Sequence, residues 1–187
     1  MRIISGQARG TKLKTLPGLN TRPTLDRIKE PLFSIINNNI QDAYVLDLFA
    51  GSGALGLETL SRGAKFCVFC DNSVESVKII KDNIDKTRFI EKSLIMKNDY
   101  IDSLKNLSTQ KLTFDIVFID PPYQNDYRTK ALGLIIEKKL LKDNGIVIIE
   151  TDDEKEIDNI KNLKMELDVY DIRKYGRVRL VFLSRKG

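Results

Sequence analysis

The stretch Val45-Leu46-Asp47-Leu48-Phe49-Ala50-Gly51-Ser52-Gly53-Ala54-Leu55-Gly56 decides the fold of this chain. Its first half is an apolar run typical of a buried strand, and its second half is a glycine turn that opens a helix. Glycines allow positive φ and let a ligand approach the backbone without a Cβ in the way. The free N–H groups at the start of the helix point at that ligand. The stretch therefore predicts a strand–turn–helix unit with a nucleoside-cofactor site.

An acidic residue at the end of the next predicted strand supports this site. Asp71 lies roughly 20 residues after the turn, where a carboxylate that binds a ribose hydroxyl is expected. The pattern G-x-G-x-x-G fits a dinucleotide as well as S-adenosylmethionine. Asp47 favours the second cofactor, because a carboxylate just before the turn can hold a cationic amino acid group. Alternatively, Asp47 accepts hydrogen bonds from the N–H groups of the turn and has a structural role.

Strand and helix patterns alternate from residue 44 onward. The predicted strands are Tyr44 to Phe49, Lys65 to Asp71, Leu94 to Lys97, Phe114 to Asp120 and Gly145 to Glu150. The predicted helices are Ala54 to Arg62, a helix capped by Ser73 that runs to about Arg88, Tyr100 to Leu107, Thr129 to Lys138 and Glu154 to Leu163. Glu166 to Lys174 and Val178 to Ser184 then form two strands with no helix between them, so they must be antiparallel. We predict a doubly wound Rossmann-like α/β sheet, mostly parallel, with an antiparallel C-terminal strand.

The first 40 residues differ from the rest of the chain. Two short segments, Arg2 to Ile4 and Thr11 to Leu13, are separated by Gly6 and Gly10 and predict a small hairpin or ordered arm. Thr24 is the predicted N-cap of an amphipathic helix. Seven Lys and Arg residues stand here against two acidic ones, so the segment carries the whole net charge of +5. A basic segment on a neutral body indicates a polyanion partner, and a solvated arm that aids solubility is the alternative. We predict two units, residues 1–40 and residues 41–187.

Composition excludes several classes of protein. Charged residues make up 30% and apolar residues 42%, as in an ordinary globular protein, and no apolar run approaches the roughly 20 residues that span a bilayer. Without a signal-peptide pattern we expect a cytoplasmic protein with no membrane partner. Cys67 and Cys70 lie inside an apolar strand, so we predict structural thiols and no metal site. The chain has no histidine, which removes the usual general base.

The sequence Asp120-Pro121-Pro122-Tyr123 ends the most apolar strand, at the ligand-bearing edge of the predicted sheet. Two prolines leave no backbone N–H to donate, so this segment offers hydrogen-bond acceptors only. Such an acceptor site suits the exocyclic amine of a nucleobase, on which Tyr123 can stack. Acceptors that hold both N–H bonds localise the nitrogen lone pair toward a methyl donor. The pattern predicts methyl transfer to a base amine.

Asp99 ends the third predicted strand, and two roles that can coexist are open to it. Its carboxylate can accept a hydrogen bond from an adenine amino group, or it can be the N-cap of the helix that begins at Tyr100.

The chain resembles the amino-methyltransferases that use S-adenosylmethionine and carry a (D/N)PPY motif. More narrowly, it resembles the RsmD-like bacterial 16S ribosomal RNA guanine-N2 methyltransferase family. The matching elements are Arg2-Ile3-Ile4-Ser5-Gly6, Arg9-Gly10, Thr21-Arg22-Pro23-Thr24, Asp47 to Gly56, Asp120 to Tyr123, and Tyr175-Gly176. Asp71 departs from many relatives, which have Glu there, and Arg177-Val178 departs from the family pattern after the glycine.

The resemblance implies a class I methyltransferase sheet, S-adenosyl-L-methionine as cofactor, and 16S rRNA in small-subunit particles as substrate. With the glycine motif, it predicts these cofactor-binding residues: Thr24, Asp47, Phe49, Gly51, Ser52, Gly53, Asp71, Asn72, Asp99 and Asp120. The implied catalytic element is Asp120, Pro121, Pro122 and Tyr123. The basic residues predicted to bind RNA are Arg2, Arg9, Lys12, Lys14, Arg22 and Arg27. Nothing in the sequence demands more than a monomer.

Three other functions compete with this hypothesis. A DNA adenine or cytosine amino-methyltransferase would use the same acceptor site, but the chain lacks a long insert for reading DNA sequence. A nicotinamide-dependent oxidoreductase fits the glycine pattern but offers no reason for Asp-Pro-Pro-Tyr. A non-catalytic RNA-binding protein that retains the fold would bind no cofactor.

Overall fold

The computed structural model describes residues 1–16, 23–121, 126–163 and 166–185, and of residues 23–27 it describes the backbone only. The helices within these ranges are α1 (Pro23–Ile35), α2 (Ala54–Ser61), α3 (Val74–Thr87), α4 (Tyr100–Thr109), α5 (Tyr127–Glu137) and α6 (Glu154–Asn162). The strands are β1 (Tyr44–Asp47), β2 (Phe66–Asp71), β3 (Ser93–Lys97), β4 (Phe114–Ile119), β5 (Leu141–Thr151), β6 (Leu167–Tyr175) and β7 (Val178–Arg185).

These strands form a sheet in the order β3-β2-β1-β4-β5-β7-β6. Strands β1 to β5 are parallel to one another, whereas β7 is antiparallel to both β5 and β6. The predicted doubly wound sheet with an antiparallel C-terminal strand is therefore confirmed. The chain winds outward in opposite directions from β1 and β4, and ligands of such sheets bind at the carboxyl ends of the strands at this switch point.

Some predicted boundaries are wrong. Helix α1 begins at Pro23, so Thr24 lies in the first helical turn and is not the N-cap. Proline suits this position because its φ is helical and because the N–H groups of the first turn have no acceptor within the helix, so the N–H that proline lacks costs no hydrogen bond. Strand β5 begins at Leu141 instead of Gly145, because Leu141 pairs with Phe114 ahead of a register shift. Helix α5 begins at Tyr127, two residues before the predicted Thr129.

Successive side chains along each strand point to opposite faces of the sheet, and this divides the apolar core into two layers. Val45, Phe69 and Phe118 belong to the layer beneath helices α1, α2 and α3, and their neighbours Leu46 and Val68 belong to the layer beneath helices α4, α5 and α6. The pattern explains why the central strands are apolar throughout, since both faces of a parallel sheet are covered.

The N-terminal segment packs against the first of these layers. Arg2 and Lys12 form an antiparallel bridge, which confirms the predicted hairpin. Ile3 and Leu13 are buried in the same core as the sheet, and Phe33 of α1 contacts Phe118 of β4 with ring centroids 6.2 Å apart. The segment formed by residues 1–16, called the arm below, and α1 thus share a core with the sheet. The division into two units at residue 40 remains a prediction.

Cys67 and Cys70 are buried free thiols in β2. Burial raises the pKa of both thiols, to about 12 for Cys70, so neither is an ionised nucleophile at neutral pH. No group of three or more potential metal ligands occurs in the described ranges. No helix within them has the length and apolar character to span a bilayer.

Candidate active site

A cavity of about 600 Å³ lies at the carboxyl edge of strands β1, β2, β3 and β4. Its size is within the usual range of pockets for small molecules and cofactors. The predicted site residues in its wall are Asp47, Phe49, Gly51, Ser52, Asp71, Asn72, Asp99, Asp120 and Pro121. Residues that are far apart in the sequence meet here because parallel strands bring their carboxyl ends to one edge of the sheet.

The glycine turn forms one side of the cavity. Gly51 and Gly53 have φ of 57° and 76°, values that L side chains rarely adopt, so the turn needs glycine at both positions. Gly53 is not among the cavity-lining residues; a Cβ there would lie 3.3 Å from the Phe69 ring. Gly56 lies so close to β2 that a Cβ would be 2.4 Å from the same ring. Two of the three glycines thus let α2 pack closely against the sheet.

Asp47 lies at the bottom of the cavity, only 3% exposed. Its carboxylate accepts a 3.0 Å hydrogen bond from the Gly56 N–H, which is the structural role considered from the sequence. The pKa of Asp47 is raised to about 7: burial raises it most, the hydrogen bond from Gly56 lowers it, and the charges of Asp120 and Asp71 add to the increase. The group therefore lies in a position where a cation would favour its ionised form.

Asp71 joins the glycine turn to the start of α3. One carboxylate oxygen accepts the Gly51 N–H at 2.9 Å, and the other accepts the Ser73 N–H at 2.9 Å. Each oxygen of a carboxylate can accept about two hydrogen bonds, so capacity remains for hydroxyl donors in the cavity. Asn72 also lines the cavity, and Ser73 is the N-cap of α3 as predicted.

Asp99 is the N-cap of α4, where its Oδ1 accepts the Ile101 N–H at 2.8 Å. It also lines the cavity, so the capping role and the binding role predicted from the sequence are compatible. Beside it, the rings of Phe49, Tyr100 and Tyr127 form a cluster with centroid separations of 5.4 Å, 5.4 Å and 6.3 Å. All three rings line the cavity and provide flat apolar surface suited to a purine.

Asp120 and Pro121 follow β4 and lie in the cavity wall. The charge of Asp120 is one of the causes that raise the pKa of Asp47, so the two carboxyl groups lie near each other. Pro122 and Tyr123, which complete the predicted catalytic element, lie outside the described residues. The chain is described again from Asp126, and Tyr127 returns it to the cavity.

The arm closes part of the cavity. Met1, Thr15 and Leu16 line it, although the sequence analysis did not place them there. Their contacts with the cavity are long-range and have no periodic signal in the sequence. Tyr127 and Tyr100 were also missed. Tyr100 directly follows Asp99, and Tyr127 comes shortly after Asp-Pro-Pro-Tyr. These positions are the signal that could have indicated them.

The basic residues predicted to bind RNA have different surroundings. Arg2, Arg9 and Lys12 are exposed on the arm. Lys14 is exposed but forms an ion pair of 2.7 Å with Asp82. Arg22 and the side chains of Arg27 and Thr24 lie outside the described parts of the structure. Lys29, which contributed to the charge of the segment, is fully buried and cannot contact an external ligand.

The fold and the carboxylate-lined cavity place this chain in the Rossmann-like α/β class, and the relatives described next identify it as a methyltransferase of that class. Residues 1–184 match the family model described as conserved hypothetical protein 95, and the chain belongs to that family.

Relatives cover most of the chain. Ribosomal RNA small subunit methyltransferase D of Haemophilus influenzae is 37% identical over 156 residues, which are 83% of this chain and 80% of that protein. The protein of the same name from Escherichia coli K12 is 34% identical over 153 residues, 81% of this chain and 75% of that protein. Among solved structures, the Escherichia coli protein yhhF has a TM-score of 0.86 at 30% identity, and the aligned region covers 100% of this chain and 98% of the yhhF chain.

Proposed function

We propose that this chain transfers a methyl group from S-adenosyl-L-methionine to the exocyclic N2 amine of a guanine in 16S rRNA, as a cytoplasmic monomer acting during small-subunit maturation. The observation that carries the proposal is the position of Asp120 and Pro121 in the same cavity as the glycine turn, Asp71 and Asp99. The relatives named ribosomal RNA small subunit methyltransferase D support the rRNA substrate.

The residues of the cavity fit the cofactor. Asp71 offers carboxylate oxygens for the ribose hydroxyls, and Asp99 with the ring of Tyr100 suits the adenine. The buried carboxyl of Asp47 suits the cationic amino acid end. S-adenosyl-L-methionine supplies a methyl group on a positively charged sulfur, which is a good leaving group.

Asp120 acts on the base. Its carboxylate accepts an N–H of the guanine amine, and the Asp-Pro-Pro backbone, which has no N–H at the two prolines, accepts the second. These bonds orient the nitrogen lone pair toward the methyl group and align the reacting atoms. Once the methyl group is transferred, the amine loses one proton to Asp120 or to water. Tyr123 is proposed to stack on the flipped-out base.

The arm supports an RNA substrate. Arg2, Arg9 and Lys12 are exposed on the arm, and Met1, Thr15 and Leu16 of the same segment line the cavity, so an RNA bound along the arm would be led toward the site of transfer. Contacts of this kind supply sequence-independent affinity for phosphates, whereas the choice of base depends on the site itself.

The test uses labelled-methyl transfer from S-adenosyl-L-methionine to undermethylated small ribosomal subunits, naked 16S rRNA and duplex DNA in parallel. The modified nucleoside is then identified by mass spectrometry. We expect N2-methylguanosine in RNA. Methylated adenine or cytosine in DNA would agree with the proposed acceptor chemistry but would contradict the proposed RNA substrate. Lack of S-adenosylhomocysteine binding would overturn the enzymatic function and favour a non-catalytic RNA-binding protein.

A further inference from the structure

Asn83 connects the arm to the glycine turn through three hydrogen bonds. This residue of α3 is fully buried. Its Oδ1 accepts the backbone N–H of Lys14 at 2.8 Å, and its Nδ2 donates to the carbonyl oxygen of Lys14 at 3.0 Å. The same Nδ2 donates to the carbonyl oxygen of Ser52 at 2.9 Å. One amide group therefore bridges two segments that the sequence separates by more than thirty residues.

Both bridged segments belong to the cavity. Ser52 lines it as part of the glycine turn, and Thr15 and Leu16, which directly follow Lys14, line it from the arm. The arm also carries Arg2 and Lys12 on its exposed side. The same ordered segment is therefore in contact with the cavity on its inner side and presents basic side chains on its outer side.

The other contacts of the arm differ from this bridge. Glu58 and Ser61 of α2 hold residues 4–8, at a distance along the chain from Thr15 and Leu16. Lys14 and Lys86 also make contacts between the arm and α3, but their side chains are exposed, and such pairs contribute little in water. The amide of Asn83 is fully buried and its bonds to Lys14 and Ser52 are partly shielded from water, so their loss weakens the attachment of the arm more than the loss of an exposed contact does.

We propose that Asn83 is a positioning residue that couples RNA binding on the arm to cofactor binding in the cavity. The inference rests on the proposed function. A docked arm completes the cavity wall, so the cofactor favours the docked state. An RNA that contacts both the arm and the body of the protein favours the same state. Two ligands that favour one state strengthen each other's binding by the same factor, and Asn83 stabilises that state.

The test measures the affinity of labelled S-adenosylhomocysteine by equilibrium dialysis, with and without saturating naked 16S rRNA. For the wild type we expect binding at least about fivefold tighter in the presence of RNA, the lower end of common couplings. In Asn83→Ala the ratio of the two affinities falls toward one, because the docked state of the Lys14 end of the arm loses three hydrogen bonds. The exposed residue Asn106 of α4 provides the control, and Asn106→Ala keeps the wild-type ratio.

A second variant covers the risk that Asn83→Ala does not fold. Asn83→Asp has nearly the same shape and keeps an acceptor for the Lys14 N–H, but it removes both N–H donors. A reduced ratio in this variant supports the inference. A wild-type ratio of one, or an unchanged ratio in the folded variants, overturns it. Failure of the wild type to bind S-adenosylhomocysteine at all would instead overturn the proposed function.

Discussion

Lys29 and Glu58 form an ion pair in which Nζ lies 3.0 Å from Oε2, and neither side chain is exposed to solvent. The same carboxylate accepts the backbone N–H groups of Ile4 and Ser5, and Lys29 donates to the carbonyl oxygen of Arg2. Helix α1, the arm and α2 therefore meet at one buried pair. Their relative positions depend on it, whereas the end of the arm next to Thr15 and Leu16 is held by Asn83.

Removing one partner of this pair should strongly destabilise the fold. For Lys29→Met we expect a loss of roughly 3 kcal/mol in the free energy of unfolding, the lower end for a broken buried pair, because Glu58 keeps Arg62 as a charged partner while the Arg2 carbonyl oxygen loses its donor. Urea denaturation measures the loss. Lys14→Met removes an exposed ion pair with Asp82 and serves as control, because a solvent-screened pair of this kind should leave the free energy of unfolding close to the wild-type value. Equal effects of the two substitutions would contradict the importance of the buried pair.

The raised pKa of Asp47 predicts a pH dependence of stability in the absence of ligand. The folded state binds the proton more tightly than the unfolded state, whose carboxyl has the ordinary pKa of 3.8. The stabilisation of the folded state by protonated Asp47 is therefore complete below pH 3.8 and is lost as the pH rises to about 7. Asp47→Asn removes this dependence, since an amide does not titrate but can still accept the Gly56 N–H.

Thermal unfolding between pH 4 and pH 8 checks the prediction. Relative to wild type, the Tm of Asp47→Asn should rise across this interval and level off above a pH of about 7. A constant difference in Tm at all pH values would show that the Asp47 pKa is not raised in the folded protein.

Asp71 should contribute strongly to cofactor affinity. Asp71→Asn keeps one acceptor oxygen but loses the charge, and hydrogen bonds to charged groups contribute about 1.5–3 kcal/mol. We therefore expect S-adenosylhomocysteine to bind roughly 10- to 150-fold more weakly, as measured by isothermal titration calorimetry. Asp85→Asn changes an exposed carboxylate on α3 and should leave the affinity at the wild-type value. A change of less than twofold in Asp71→Asn would argue against a ribose-binding role.

The exposed basic residues of the arm should determine how RNA affinity depends on salt. Replacing Arg2, Arg9 and Lys12 together by Gln removes up to three phosphate contacts. Each phosphate contact with a single strand contributes roughly 0.7 to the slope of log affinity against log salt concentration. Loss of three contacts should therefore make this slope shallower by up to about 2. Filter binding to naked 16S rRNA gives this slope.

The control for the arm variant replaces three exposed lysines in or after α4 and α5, which pack on the opposite face of the sheet: Lys105, Lys111 and Lys139. This triple substitution removes the same charge and should leave the slope at the wild-type value. If both triple variants change the slope equally, the arm is not a distinct RNA-binding surface.

Much of the site could be predicted from the sequence because strand ends are local features. Asp47, Asp71, Asp99 and Asp120 each follow an apolar run, and the alternation of strands and helices requires those runs to be parallel. Their meeting at one edge of the sheet then follows from the class of fold.

The arm's part in the site could not be predicted in this way. The bonds between Lys14 and Asn83 join residues 69 positions apart, and neither residue belongs to a recognisable pattern. Lys29 was counted in the charge of the basic segment because charge alone does not reveal burial; its partner Glu58 lies on another element. Long-range polar contacts of this kind depend on the packed structure.

The central claim is that Asp120 holds the base amine beside the bound cofactor. The most direct measurement is the single-turnover rate of methyl transfer to 16S rRNA by Asp120→Ala, together with its affinity for S-adenosylhomocysteine; Asp102→Ala, on the exposed side of α4, is the control. We predict wild-type cofactor affinity within a few-fold and a rate lowered by roughly 10²–10⁴-fold. An unchanged rate in Asp120→Ala would contradict the account.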